Sequence, residues 1–155
     1  MNIGELVKKK GSDVITVKAK NTVETALVAM NEKHIGALMV LDDEGKVAGI
    51  ISERDLLMVC HKCGEIKYVH EVMTPKDKLR TLGPKSSIQE AMKIFTEFKI
   101  RHLPVLEDGK LIGIISIGDT VKTLLDAMEQ ENKYLNEYIM GQNIDRKSTR
   151  LNSSH

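Results

Sequence analysis

The chain has 155 residues, 41% of them hydrophobic and 29% charged, and 23 basic against 22 acidic side chains leave a formal charge of +1. Such a composition excludes a disordered polyelectrolyte, and the near-neutral balance gives no ground for a nucleic-acid partner. No apolar run approaches the roughly twenty residues of a membrane span, and the amino terminus lacks the apolar core of a secretory signal, so the expectation is a soluble cytoplasmic protein, or one of an organelle lumen, with no membrane partner.

In chain order, residues 1–12 read as a short leading segment in which Met1 to Lys10 forms a helix. Val14 to Val17 is a β-branched run of strand type. Val23, Ala26, Leu27 and Met30 then recur at i, i+3, i+4 and i+7, one face of a helix, with Thr22 placed as its N-cap. Ala37 to Leu41 and Val47 to Ile51 are continuous apolar runs joined by the turn Asp42-Asp43-Glu44-Gly45, the pattern of a hairpin of buried strands. Ser52 opens a further helix through Leu56, Leu57 and Cys60, which closes a unit at 13–60. Residues 61–78 are polar, end in Met73-Thr74-Pro75 and read as a link.

The unit then recurs. Thr16, Thr22, Val23, Ala26, Leu27 and Met30 fall on Thr81, Ser87, Ile88, Ala91, Met92 and Phe95 at an offset of 65. Gly49-Ile50-Ile51-Ser52 and Asp55 fall on Gly113-Ile114-Ile115-Ser116 and Asp119 at an offset of 64, so the second copy has lost one turn residue. Ser87 with Glu90 has capping-box spacing. Pro104 stands where the first copy has Met39, which places its strand at an edge or its start there. The last helix, from about Ser116, carries Val121, Leu124, Leu125 and Met128 at helical spacing and continues through Leu135, Tyr138 and Ile139 to Gly141, a C′ residue. The second unit is therefore 79–141, with 142–155 as a disordered tail. Residues 145–155 resemble the conceptual translation of an adapter oligonucleotide and are expected to carry no fold. Units of about sixty residues bury too little surface to be comfortable alone, so the two should pack on each other.

The strand-helix-strand-strand-helix order, the doubled Gly-h-h-Ser-x-x-Asp segments, Glu71-Val72-Met73-Thr74, and Ile100-Arg101-His102-Leu103-Pro104-Val105 resemble a tandem CBS-domain pair, the Bateman module, over roughly residues 1–141. More narrowly, the chain resembles stand-alone CBS-pair proteins, whose last helix ends in a stretch like Glu137-Tyr138-Ile139. The resemblance implies an α/β (α+β) fold of two β-α-β-β-α repeats about a pseudo-twofold axis with a long C-terminal helix. It also implies a non-enzymatic regulatory role. An adenosyl ligand (AMP, ADP, ATP, NAD or S-adenosylmethionine) would bind in clefts between the repeats of a homodimer that signals to another protein.

One cleft would join Ile114, Ser116 and Asp119 to Thr16, Ile35, Gly36 and Ala37; the other would join Ile50, Ser52 and Asp55 to Thr81, Ile100, Arg101 and His102. Asp55 and Asp119 lie in the first turn of a helix, where a carboxylate can accept from ribose hydroxyls while the helix N-terminus favours phosphate. Arg101 and His102 fall on Gly36 and Ala37, so the two clefts are expected to bind unequally. Without Trp, and with few other aromatics, adenine would rest among aliphatic side chains. Simpler roles stay open: the Ser-x-x-Asp pairs as helix caps, Thr16 and Thr81 as strand residues, and the module as a ligand-free scaffold. Cys60 and Cys63, in Cys-x-x-Cys spacing with His70 nearby, could serve as a redox couple or half a metal site, the alternative being two reduced thiols.

Overall fold

The computed structural model describes residues 1–11, 14–61 and 66–152, with side chains for 1–11, 14–59 and 66–141. Any thiol chemistry of Cys60 and Cys63 therefore lies outside the described residues. The chain divides into two compact units, Met1–Ile117 and the part from Gly118 on.

The first unit starts with α1 (Ile3–Lys10), capped by Asn2, whose side-chain oxygen accepts from the Glu5 N–H at 2.9 Å. β1 (Thr16–Lys18) leads through α2 (Val23–Lys33) to β2 (Ala37–Leu41), which lies parallel to it, and β3 (Val47–Ser52) returns antiparallel. α3 (Glu53–His61) follows, and β4 (Thr74–Pro75) pairs with the far side of β3, completing the order β1-β2-β3-β4. α4 (Ile88–Phe98), β5 (His102–Glu107) and β6 (Lys110–Ser116) repeat the pattern, and α5 (Ile117–Asn152) ends it.

The repetition extends to details of the backbone. The Thr22 and Ser87 hydroxyls accept the N–H groups of Thr25 and Glu90 at 3.2 and 3.1 Å, capping α2 and α4. Both helices end on a left-handed residue, His34 (φ 54°) and Lys99 (φ 53°). The pair Ala37↔Ser52 is answered by His102↔Ser116, and the ladder slips at Val40/Leu41 and again at Val105/Leu106. The Val17↔Val40 pair of β1 is answered by a single parallel bridge, Leu82↔Val105. There the Pro104 carbonyl accepts from Leu82 at 3.0 Å while the Leu106 N–H donates back at 2.9 Å. Proline thus sits on a strand side where no ladder needs its missing donor.

Continuous apolar runs reflect a sheet buried on both faces. Leu38, Val40 and Ile51 pack with Ala26 and Met30 of α2, while Ala37, Met39 and Ile50 on the other face meet Leu79, Leu111 and Ile114 of the second repeat. Leu27, on the apolar face of α2, is 53% exposed on a groove between α2 and α3, and the smaller Ala29 packs on the core.

The link between the repeats is structural, and it forms half of an exchange. Ile3 and Gly4 of α1 donate to the carbonyls of Ser86 and Pro84, both at 2.8 Å, so the segment preceding the first repeat completes the second. Reciprocally, Val23 donates to Lys67 and Val69 to Asn21, both at 2.9 Å, and Val69 is wholly buried in the first core. The bridges Asn2↔Ser87 and Thr22↔Tyr68 mark the same junction twice. Equivalent glycines admit the exchanged segments. A Cβ on Gly49 would collide with the Thr74 carbonyl oxygen of β4, and one on Gly113 would lie 2.8 Å from Val7 Cγ1 of α1.

The second unit is the helix α5 beyond its first residue. It runs through Gly141, read above as its C′ residue, and residues 142–152, expected to be disordered, are helical. A single glycine costs a helix only about 1 kcal/mol relative to alanine, and Gln142, Arg146 and Lys147 beyond it are good helix formers.

Candidate functional site

Between the β3–α3 junction of the first repeat and the α4–β5 junction of the second lies a cavity of about 360 Å³. Ile50, Ser52 and Asp55 enter from one side and Ile100, Arg101 and His102 from the other, which brings together six of the seven residues assigned to this cleft. The seventh, Thr81, is exposed just before the Leu82 bridge and does not line it; its neighbours Leu79 and Arg80 do. Gly36, expected in the other cleft, also lines this one. Its missing side chain leaves room for an imidazole, since a Cβ there would sit 3.1 Å from His102 Cε1 and 3.5 Å from Glu53 Cδ.

The β3–α3 junction is held by its own residues. Ser52 donates both its N–H and its hydroxyl to Asp55 Oδ2, at 2.9 and 3.1 Å, and the Glu53 N–H donates to the Gly36 carbonyl at 3.0 Å. Asp55 therefore does cap the helix in the capping-box sense, although the serine hydroxyl donates to it rather than accepting. Burial raises the Asp55 carboxyl above the ordinary 3.8, against the opposing pull of the two Ser52 hydrogen bonds and of Arg54. A half-buried carboxylate fixed in this way offers remaining acceptor capacity to a pair of hydroxyl donors.

Sequence reasoning missed the cations. Arg54, Lys78, Arg80 and Lys99 line the cavity beside Arg101, and among the described residues only the carboxylates of Glu53 and Asp55 line it against them. Arg54 Nη1 donates to the Lys99 carbonyl at 3.1 Å, and the Arg80 guanidinium lies 3.8 Å from the centre of the Phe98 ring. No motif joins these residues in sequence, since they come from α3, from residues 78–80 where the link meets the second repeat, and from the end of α4. Lys99 alone carried a signal, a lysine where the helix end calls for glycine or asparagine. Apolar surface comes from Ile50, Leu57, Leu79 and Ile100.

Residues of the other proposed cleft are placed as follows. Thr16 is exposed at the start of β1, and Ile35 lines the groove between α2 and α3. Ala37 is buried in the cluster that Ile114 packs against, and Ser116 pairs with His102 across the β5–β6 ladder. Asp119 belongs to the second unit, in the first turn of α5, where its carbonyl accepts from the Thr123 hydroxyl at 2.9 Å. Among the described residues no group of three or more His, Cys, Asp or Glu could hold a metal ion, and no helix is long and apolar enough to cross a membrane.

The profile of the CBS domain matches this chain twice, over residues 3–62 and 69–132. The CBS domain-containing protein CBSX3, mitochondrial, of Arabidopsis thaliana is 34% identical over 148 residues, which cover 90% of this chain and 72% of that protein. A CBS-domain protein of Burkholderia ambifaria, solved as a structure, is 39% identical with a TM-score of 0.74, covering 81% of this chain and 95% of that one. CBSX2, solved in complex with AMP, is 29% identical with a TM-score of 0.70, covering 82% and 98%. With its repeats, their shared backbone details and these matches, the chain belongs to the CBS-domain family as a tandem pair.

Proposed function

We propose that this chain is a regulatory module without catalysis of its own, which binds an adenosine-containing ligand in the cavity between the β3–α3 and α4–β5 junctions and passes the signal to a partner protein. One observation carries the reading: Asp55, in the first turn of α3, shares a cavity with Arg101 and His102 of the other repeat. In the proposed pose the ribose hydroxyls donate to Asp55, the ring rests among Ile50, Leu79 and Ile100, and the phosphate faces the basic side chains. The AMP complex of the related CBSX2 supports the same class of ligand. Because the cavity draws walls from both repeats, a ligand can favour one arrangement of the repeats over another, which is what signalling requires.

The reading includes a homodimer in the cytoplasm or an organelle. Val121, Leu125, Met128, Leu135 and Ile139 form a stripe along α5, each between 42% and 58% exposed, a surface that a second copy would cover. Thermal melts with AMP, ADP, ATP, NAD and S-adenosylmethionine test the sensor. A ligand at a hundred times its dissociation constant should stabilise the fold by about 2.7 kcal/mol. No shift with any of the five would leave the ligand-free scaffold as the function.

A further inference from the structure

Among the described residues, five cationic side chains from three separate stretches of chain converge on this cavity, against two carboxylates. Among the described residues none of the five is ion-paired to a carboxylate. Two are already held in place, Arg54 by the Lys99 carbonyl and Arg80 by the Phe98 ring, so little side-chain freedom is lost when an anion arrives. Lys99 stands in a left-handed conformation that a lysine adopts at a cost, at the point where its side chain lines the cavity.

The repeated sequence does not carry these five charges over. At the offsets that relate the repeats, Arg54, Lys78, Arg80, Lys99 and Arg101 fall on Gly118, Asp13, Ile15, His34 and Gly36. Every cation is replaced by an uncharged side chain, an acid or a histidine. Repeat symmetry and helix capping explain none of this, because the core and cap residues are kept in kind while the charges are not. Set against the two carboxylates, the five cations leave an excess of three positive charges, which a single phosphate dianion does not fully match and a sulfonium would increase.

We propose, building on the adenosine-ligand reading above, that this cavity is a nucleoside polyphosphate site, selecting di- and triphosphates over a monophosphate and against a cationic adenosyl ligand. Lys78, Arg80 and Lys99 set that selectivity, while Asp55 and the aliphatic wall serve all adenosine ligands alike.

The test is calorimetric titration of the full chain with adenosine, AMP, ADP, ATP, S-adenosylmethionine and inorganic tripolyphosphate at two salt concentrations, repeated on Lys78→Gln/Lys99→Gln. Each charge-assisted hydrogen bond to the ligand corresponds to about tenfold in affinity. ATP should bind at least about tenfold more tightly than AMP, with the steeper salt dependence, and S-adenosylmethionine most weakly. In the double variant, ATP affinity should fall by more than about tenfold and by a larger factor than AMP affinity, with an unchanged circular dichroism spectrum. AMP binding as tightly as ATP, or a variant that weakens all ligands equally, overturns the polyphosphate assignment and leaves the sensor standing. If tripolyphosphate binds as tightly as ATP and adenosine does not bind, the adenosine reading fails and the polyphosphate site survives.

Discussion

Asp55→Ala separates the helix cap seen in the structure from the ligand-binding role proposed for this carboxylate. Its Oδ2 accepts two hydrogen bonds from Ser52, and losing a cap of this kind costs about 0.5–2 kcal/mol. Burial already opposes the charge, as the raised carboxyl shows, so relief of desolvation offsets part of that loss and the net cost should be near 1 kcal/mol. For a chain of 155 residues this lowers the melting temperature by about 2–4 °C. Two ribose donors on an ionised acceptor are worth more, and adenosine ligands should lose about 1.5–3 kcal/mol, or roughly 10- to 150-fold in affinity. Calorimetry and thermal melts on the same samples read both effects. The pH dependences have opposite signs. Between 3.8 and its raised value the folded protein holds a proton that the unfolded chain has lost, so the Asp55 contribution to stability falls as pH rises through that window. Ribose hydroxyls favour the carboxylate, so ligand affinity rises over the same window. Asp55→Asn should flatten both slopes. A melting shift of the expected size with unchanged ligand affinity would refute the binding role and leave Asp55 as a helix cap.

Lys99→Gly and His34→Gly relax equivalent left-handed helix ends, and each should raise stability by about 1 kcal/mol in a thermal melt, while only Lys99→Gly weakens ATP binding. Gly49→Ala forces a methyl against backbone and should destabilise by about 1–3 kcal/mol in urea unfolding; Gly113→Ala meets the Val7 side chain and should be rescued by Val7→Ala. Leu125→Glu with Met128→Glu should halve the mass seen by light scattering without lowering ATP affinity, and an unchanged mass would remove the α5 stripe from the proposed dimer contact.

Much of this molecule is written locally. Apolar spacing located α2 and α4, Thr22 and Ser87 announced their caps, and the offset of the Gly-Ile-Ile-Ser segments placed both hairpins, because each depends on side chains within one helical turn or one strand pair. That Asp55 shares a cavity with Arg101 and His102 was also legible, but only through the repeat and the family it resembles. Tertiary structure alone decided that α1 completes the second repeat while residues 67–75 complete the first, that Gly36 stands beside His102, and that Lys78, Arg80 and Lys99 gather around one cavity. Nothing in the periodicity of α1 or of the link says which distant surface it will cover. That choice follows from apolar area buried between segments tens of residues apart, such as Gly4 against Pro84, where local pattern carries no information.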